Sequence, residues 1–404
     1  MPAKSKATLK QLVKDQPANI PFGEALEALL NTDESLKARY LYRLSDLSSE
    51  DSAALRQRWA QIALWRRQAL MDDLQNLAEA DLLLSFEQVA RIALEDENTA
   101  VRFGALQVLT AQESDSPSLM RLYLNSMEND PEISVRALAA SALGLFVYNA
   151  ELDKLSPAAK ADLETRLLRA AQEAHADVAR RALESLGYSS HPQVPALIEQ
   201  AYRRREIEWQ ASALFAMGRS ADEVWQPTIM ACLNAPQSVL RAESARAAGE
   251  IGIKQARAAL FQLSRDPDED VAFAALWALS QIGGSGVNKL LRKHLARARS
   301  DDEIQFFEDA LDNLAFLEGD EAFGMLNLAE ETADIVPESA LLPEDDPETA
   351  EDFALEEFDT DDFEQDDDFD EDDFEDDDFE DEDFEDEDFE DDFLDDDDFD
   401  EENS

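Results

Sequence analysis

VRALAASALG, residues 135–144, decides the fold, because the same pattern keeps returning along the chain. It recurs as VRFGALQVLT (101–110), VARRALESLG (178–187), WQASALFAMG (209–218), LRAESARAAG (240–249), VAFAALWALS (271–280) and FFEDALDNLA (306–315). Weaker copies are WRRQALMDDL (65–74) and LKARYLYRLS (36–45). The copies begin 29, 36, 34, 43, 31, 31, 31 and 35 residues apart. Self-similarity at a near-constant period is the mark of a repeat architecture and has no cause in a single compact domain.

Counting the first residue of each copy as position 0, apolar or small residues fall at 0, 4, 5 and 8, the stripe of an amphipathic helix. In one copy these are Val271, Ala275, Leu276 and Leu279, with Ile282 a turn later. Short polar links with proline precede several copies, as in Asp130-Pro131, Ala235-Pro236 and Asp266-Pro267-Asp268. They read as an inter-helix turn followed by an N-cap. A second apolar helix lies before each link, such as 256–263 or 227–233. One hairpin of two helices cannot bury both apolar faces, whereas stacked hairpins can.

The pattern D-P-x-x-x-V-R-x-x-A-x-x-x-L-G, carried by Asp130, Pro131, Val135, Arg136, Ala139, Leu143 and Gly144, resembles the HEAT-repeat signature. The spacing is similar to the short form of about 31 residues found in phycobilisome-lyase-like HEAT proteins. Asp266, Pro267, Val271, Ala275 and Leu279 fit it too, with Ala272 in place of the arginine. The resemblance implies an all-α fold, a right-handed α–α superhelix (a HEAT/armadillo-like solenoid) of about nine hairpins over residues 21–330. It implies a structural ladder role for the arginines at position 1, here Arg66, Arg102, Arg136 and Arg241. It also implies that the second helix of each hairpin lines the concave face. The family hosts scaffolds, lyase subunits and a few enzymes, so function must be argued from sites.

Composition bounds what those sites can be. The chain has 404 residues, 35 Lys and Arg, 93 Asp and Glu, and a formal charge of −58. Residues 341–404 hold 41 acidic residues and no basic ones, leaving 52 acidic and 35 basic residues in the first 340. An acidic surface disfavours nucleic acid. The single cysteine, Cys232, excludes a disulfide framework and suits a reducing, cytoplasmic setting. No apolar run reaches the roughly 18–20 residues needed to span a bilayer, so no membrane role is expected. The lysine-bearing start, MPAKSKATLKQLVKDQ, lacks an apolar core and reads as a flexible arm over 1–20.

The segment 331–404 is of another kind. Ten phenylalanines, from Phe353 to Phe399, stand mostly five apart among Asp and Glu. A five-residue step gathers side chains on no single face of a helix or strand. The segment is expected to be disordered: a solubilising bristle, a multivalent element that captures a basic protein partner, a weak cation binder, or an acidic stretch that folds back onto the solenoid's own arginines. No calcium loop with ligands at EF-hand spacing occurs in it.

No catalytic constellation stands out, and no cofactor or metal is called for. His175, His191 and His294 are scattered, and none is followed by glutamate. The HEAT enzyme deoxyhypusine hydroxylase binds iron through repeated His-Glu pairs, so an oxidoreductase of that kind is disfavoured, as is a phycobilin lyase. Cys232 reads as a buried core thiol, and Gly283-Gly284-Ser285-Gly286 as a helix end and link. Arg203-Arg204-Arg205 and Arg292, Lys293, Arg297 and Arg299 are the main basic clusters. Positions 2 and 6 lie off the apolar stripe and should project from each repeat helix. Phe215, Arg246, Phe273 and Trp277 are then the candidate partner-binding residues, since aromatics and arginine dominate interface hot spots. A protein-interaction scaffold is the expected function.

Overall fold

The computed structural model describes residues 20–333, apart from 113 and 174. Most of the arm 1–20 and of the segment 331–404, with its ten phenylalanines, therefore lies outside the described residues. Among those described there is no strand. The helices are α1 (Phe22–Leu30), α2 (Ala38–Tyr42), α3 (Ser49–Arg58), α4 (Leu64–Ala80), α5 (Glu87–Ala93) and α6 (Thr99–Ala111). Then come α7 (Pro117–Asn129), α8 (Ile133–Ala142), α9 (Gly144–Glu151), α10 (Pro157–Ala170), α11 (Ala176–Leu186), α12 (Val194–Tyr202) and α13 (Ile207–Arg219). The last are α14 (Gln226–Cys232), α15 (Ser238–Ile251), α16 (Arg257–Leu263), α17 (Glu269–Ile282), α18 (Val287–Leu295) and α19 (Asp301–Ala333).

Every repeat copy falls on the second helix of a pair: α2, α4, α6, α8, α11, α13, α15, α17 and α19. From α5 onward each such helix packs on the helix before it, α8 apart from its extra neighbour α9, and from α4 onward successive repeat helices stack in chain order. The described residues form an α-solenoid. The stripe residues are the reason: Val101, Ala105, Leu106 and Leu109, and likewise Val135, Ala139, Ala140 and Leu143, are at most 1% exposed. One continuous apolar core runs from Phe22 to Leu314. Each fully buried Leu or Val in it contributes about 1.5–3 kcal/mol relative to exposure.

Several features depart from the reading above. The 43-residue step between Val135 and Val178 is explained by the extra helix α9. Gly144, read as the end of a repeat, instead starts α9, because Leu143 stays in the right-handed helical region and only kinks the chain. Taken together, Ile133–Glu151 is long and apolar enough to cross a membrane by composition, contrary to the expectation. It is 56% buried within the array, the ordinary condition of a core helix. The weak copy at Leu36 yields only the five-residue α2, and the chain then turns at Asp46 with φ 52°.

The link Asp266-Pro267-Asp268 is the expected turn followed by an N-cap, whereas the residues at the N-caps after Asp130-Pro131 and Ala235-Pro236 make no side-chain capping bond. Asp130 and Asp266 do not cap the following helix. Each accepts the amide two residues on, Glu132 N at 2.9 Å and Asp268 N at 3.0 Å, which closes an Asx turn around the proline. The N-cap of α17 is Asp268, which accepts Val271 N. The expected helix end at Gly283 is present, with Gly283 at φ 67° and Gly286 at φ 81°.

Candidate functional site

The position-1 arginines are consumed by the fold. Arg102 donates from Nε and Nη2 to both carboxylate oxygens of Asp130, at 2.9 and 3.0 Å, and from Nη1 to the carbonyls of Asp96 and Glu97. Arg241 repeats this with Asp266, at 2.8 Å for both bonds, and with the carbonyls of Ala235 and Pro236. Each arginine thus closes the link before its own helix and reaches the aspartate of the next link, a geometry that only the guanidinium fork supplies. Arg66 holds the carbonyls of Asn31 and Glu34, and Arg136 holds that of Met127 and pairs with Glu173. Where position 1 is Gln210, its amide takes over the carbonyls of Tyr202 and Arg204.

The other singled-out groups are also engaged. Cys232 is buried, with Tyr202 Oη 3.0 Å from its sulfur. Burial first, and then this contact, pushes the Tyr202 phenol up to about 12. His191 Nδ1 accepts the Gln193 amide within its link. His294 lies against Phe307, and burial, then Arg297, Lys293 and Arg265, hold it below the usual histidine range. Among the described residues no three His, Cys, Asp or Glu side chains are grouped to hold a metal. Two hollows of about 390 and 200 Å³ open at the N-terminal end, beside Trp65, Arg66 and Asp73 and beside Glu24 and Glu27. Both are remote in sequence from the candidate residues.

Phe215, Arg246, Phe273 and Trp277 are all half-buried, on the stacked helices α13, α15 and α17. Phe215, Arg246 and Trp277 occupy position 6 of three consecutive units and so form one row. The Arg219 guanidinium lies 4.1 Å from the Phe215 ring centre and 4.7 Å from that of Tyr188. Arg246 pairs with Glu243 at 2.8 Å. Trp277 covers Gly249 on the neighbouring helix. Phe273 is drawn aside into a cluster with Phe306 and Phe307, at ring distances of 5.1 and 6.0 Å.

Projection at positions 2 and 6 does not hold throughout. Met71 and Ala242 are buried, and Glu184 is a buried strut rather than a surface group. Its carboxylate accepts Ser212 Oγ and Arg181 Nη1, both at 2.6 Å, and its carbonyl accepts Arg219 Nη1. What the ten-residue pattern missed is the contribution of positions 3 and 10, which sit three or four residues from position 6 on the same face. They supply Arg181 and Tyr188, Ser212 and Arg219, and Glu243 and Glu250. Tyr148 on α9, 46% exposed, extends the row by packing on Tyr188 at 5.3 Å.

Charge along this row is finely poised. Glu243 Oε2 is buried with no hydrogen-bond partner, and burial pushes its carboxyl up. Glu250 is exposed as a residue, yet its carboxylate lies down over Gly218. Burial there, with Glu243 adding repulsion against the attraction of Arg219 and Arg246, raises it to about 7. The row can accept cationic groups at its carboxylates and stack planar groups on its rings.

A protein-family model described as HEAT repeats matches residues 226–311, which carry α14 to α18 and the start of α19. No curated protein sequence matches the chain. Among solved structures the chain is similar to Escherichia coli YibA, at 14% identity and TM-score 0.36, over 70% of this chain and 99% of that one. It is similar to human deoxyhypusine hydroxylase at 18% identity and TM-score 0.29, over 68% and 99%. For importin beta the values are 14% identity and TM-score 0.35, over 75% and 47%. Likenesses with scores this low bear on neither function nor site.

Proposed function

We propose that the chain is a non-catalytic scaffold that holds protein partners on the row from Tyr148 to Trp277, and that the acidic segment 341–404 adds a second, multivalent contact. The observation that carries this reading is the row itself: Tyr188 in the turn after α11, with Phe215, Arg219, Glu243, Arg246 and Trp277 on α13, α15 and α17, half-buried and rich in hot-spot residue types. The repeat-family match over 226–311 supports a solenoid use of this surface. Phe215, Arg246 and Trp277 form its centre, and Phe273 its edge. A lone histidine in a link or against Phe307 offers no ligand set, so a lyase-like or iron-dependent oxidoreductase reading stays second. Buried Cys232 fits a cytoplasmic setting.

The test is affinity capture with the full chain and with a Phe215→Ser, Arg246→Glu, Trp277→Ser variant. A partner retained by the wild type and lost by an equally stable variant is the expected result. Equal capture by both, or a chromophore or stoichiometric iron in the purified protein, would overturn the reading. Replacing the ten phenylalanines of 353–399 with serine keeps the charge, so it reports whether the rings or only the carboxylates contribute.

A further inference from the structure

The row just described does not use the basic side of the last two hairpins. From Val271 to Ser300 the sequence has no acidic residue, and Lys289, Arg292, Lys293, Arg297 and Arg299 crowd into eleven positions. Helix α18 buries Val287 and Leu291 toward the core and leaves Lys289, Arg292 and Lys293 exposed. These three stand at i, i+3 and i+4, one face of a helix. Arg297 and Arg299 are exposed in the turn that follows. Arg265, from the link ahead of α17, acts on the same spot, since it joins Lys293 and Arg297 in disfavouring a charge on His294. Cations from two hairpins therefore converge. Unlike Arg102 and Arg241, which are locked to aspartates, Arg292 is held by a neutral partner, Asn288 Oδ1 at 2.7 Å. No ion pair within 4 Å engages Lys289, Arg292 or Arg297 among the described residues.

We propose that this face of α18 and its following turn is a docking surface for an acidic protein segment supplied by a partner. Charge complementarity names the occupant. At the helical rise the eight steps from Lys289 to Arg297 advance about 12 Å, and an extended peptide places same-side residues about 7 Å apart. Alternate Asp or Glu residues over five or six positions thus match the advance from Lys289 through Arg292 and Lys293 to Arg297. A nucleic-acid backbone fits less well. Duplex DNA carries a charge about every 1.7 Å, and beyond the patch it would meet Asp301, Asp302 and Glu303 at the start of α19. The surface extends the scaffold reading, on which it rests only in taking the partner to be a protein. It gives the molecule a preference for acid at one place and for base at another.

The experiment uses the full chain and a fluorescent peptide of about 12 residues alternating Glu and Ala, followed by anisotropy at about 50 mM salt, where screening is weak. Two variants are compared: Lys289→Gln, Arg292→Gln, Lys293→Gln, Arg297→Gln together, and the row variant of the preceding subsection. The expected result is binding that falls about tenfold or more in the glutamine variant and at about 500 mM salt, as for contacts governed by charge. The row variant should bind as the wild type does, which separates failure here from failure of the row. Carbodiimide coupling should join Lys289 or Lys293 to the peptide. Equal binding by wild type and glutamine variant would overturn the proposal. So would tighter binding of a single-stranded oligonucleotide of equal charge, or coupling of these lysines only to residues 341–404 of the chain itself.

Discussion

Arg102 and Arg241 each make four hydrogen bonds, two to an aspartate and two to backbone carbonyls, so their loss strands several buried groups at once. Removing one partner of a buried pair costs about 3–5 kcal/mol. Arg102→Ala, at a pair whose side chains are 8% and 9% exposed, should fall within that range by urea unfolding, and Arg241→Ala somewhat below it. The bond from Arg241 holds the Asp266 carboxyl below the usual aspartate range. That stability is complete above the unfolded pKa of about 3.9 and fades as pH falls through the lower folded value. The stability gap between wild type and Arg241→Ala should therefore narrow in acid, and a gap constant from pH 6 to 2 would contradict this. Glu250 has the opposite sign. Its folded value of about 7 lies above the unfolded one, so the protonated acid is favoured on folding. The associated stability is full below about pH 4.3 and is lost as pH rises through 7. Glu250→Gln should be the more stable protein at pH 8 and should flatten the melting temperature between pH 5 and 8.

Helices in the middle of the array touch through backbone. A Cβ on Gly187 would stand 2.9 Å from Ala216 Cα, one on Gly218 2.9 Å from Ala247 Cα, and one on Gly249 2.8 Å from Ala278 Cα. Alanine normally strengthens a helix by about 1 kcal/mol over glycine, but here the opposing atom is backbone and cannot swing aside. Gly218→Ala and Gly249→Ala should each destabilise by about 1–3 kcal/mol, the range for overpacking. Gly23→Ala, with nothing within 4 Å of the added carbon, should be neutral or mildly stabilising. Thermal melts of the three variants decide the matter. The stripe at positions 0, 4, 5 and 8 was legible in the sequence because burial along a helix is a local periodicity. The glycine contacts follow the same frame but reveal their reason only when two helices are set side by side. Helix α9 was hidden because Leu143-Gly144 has the form of a repeat end, and nothing local says that the next turn continues. Of the row proposed for partners, position 6 could be read from one helix, whereas Tyr188 and Arg219 lie just past the ten-residue copy and meet each other only across repeat units.

From α4 to α19 each repeat helix of the described array touches the next one in chain order, so stability should pass between neighbours rather than through the whole. Leu276→Ala, at a residue 2% exposed, should cost about 2–5 kcal/mol and should lower hydrogen-exchange protection in α15, α17 and α19. Protection in α4 and α6 should hold under the same mild conditions, and uniform loss along the chain would show a single cooperative unit instead. The glycine ladder carries a further consequence, one for inheritance. Its three contacts each join residues 29 apart, in units that begin 31 apart at Val178, Trp209, Leu240 and Val271. Excising residues 209–239 would set Gly187 opposite Ala247, an alanine in place of an alanine. A gain or loss of 31 codons here, or of a whole multiple of 31, keeps phase, and any other number breaks it, much as a reading frame does. The gene is thus free to change how many units it spells, but not how each one is punctuated.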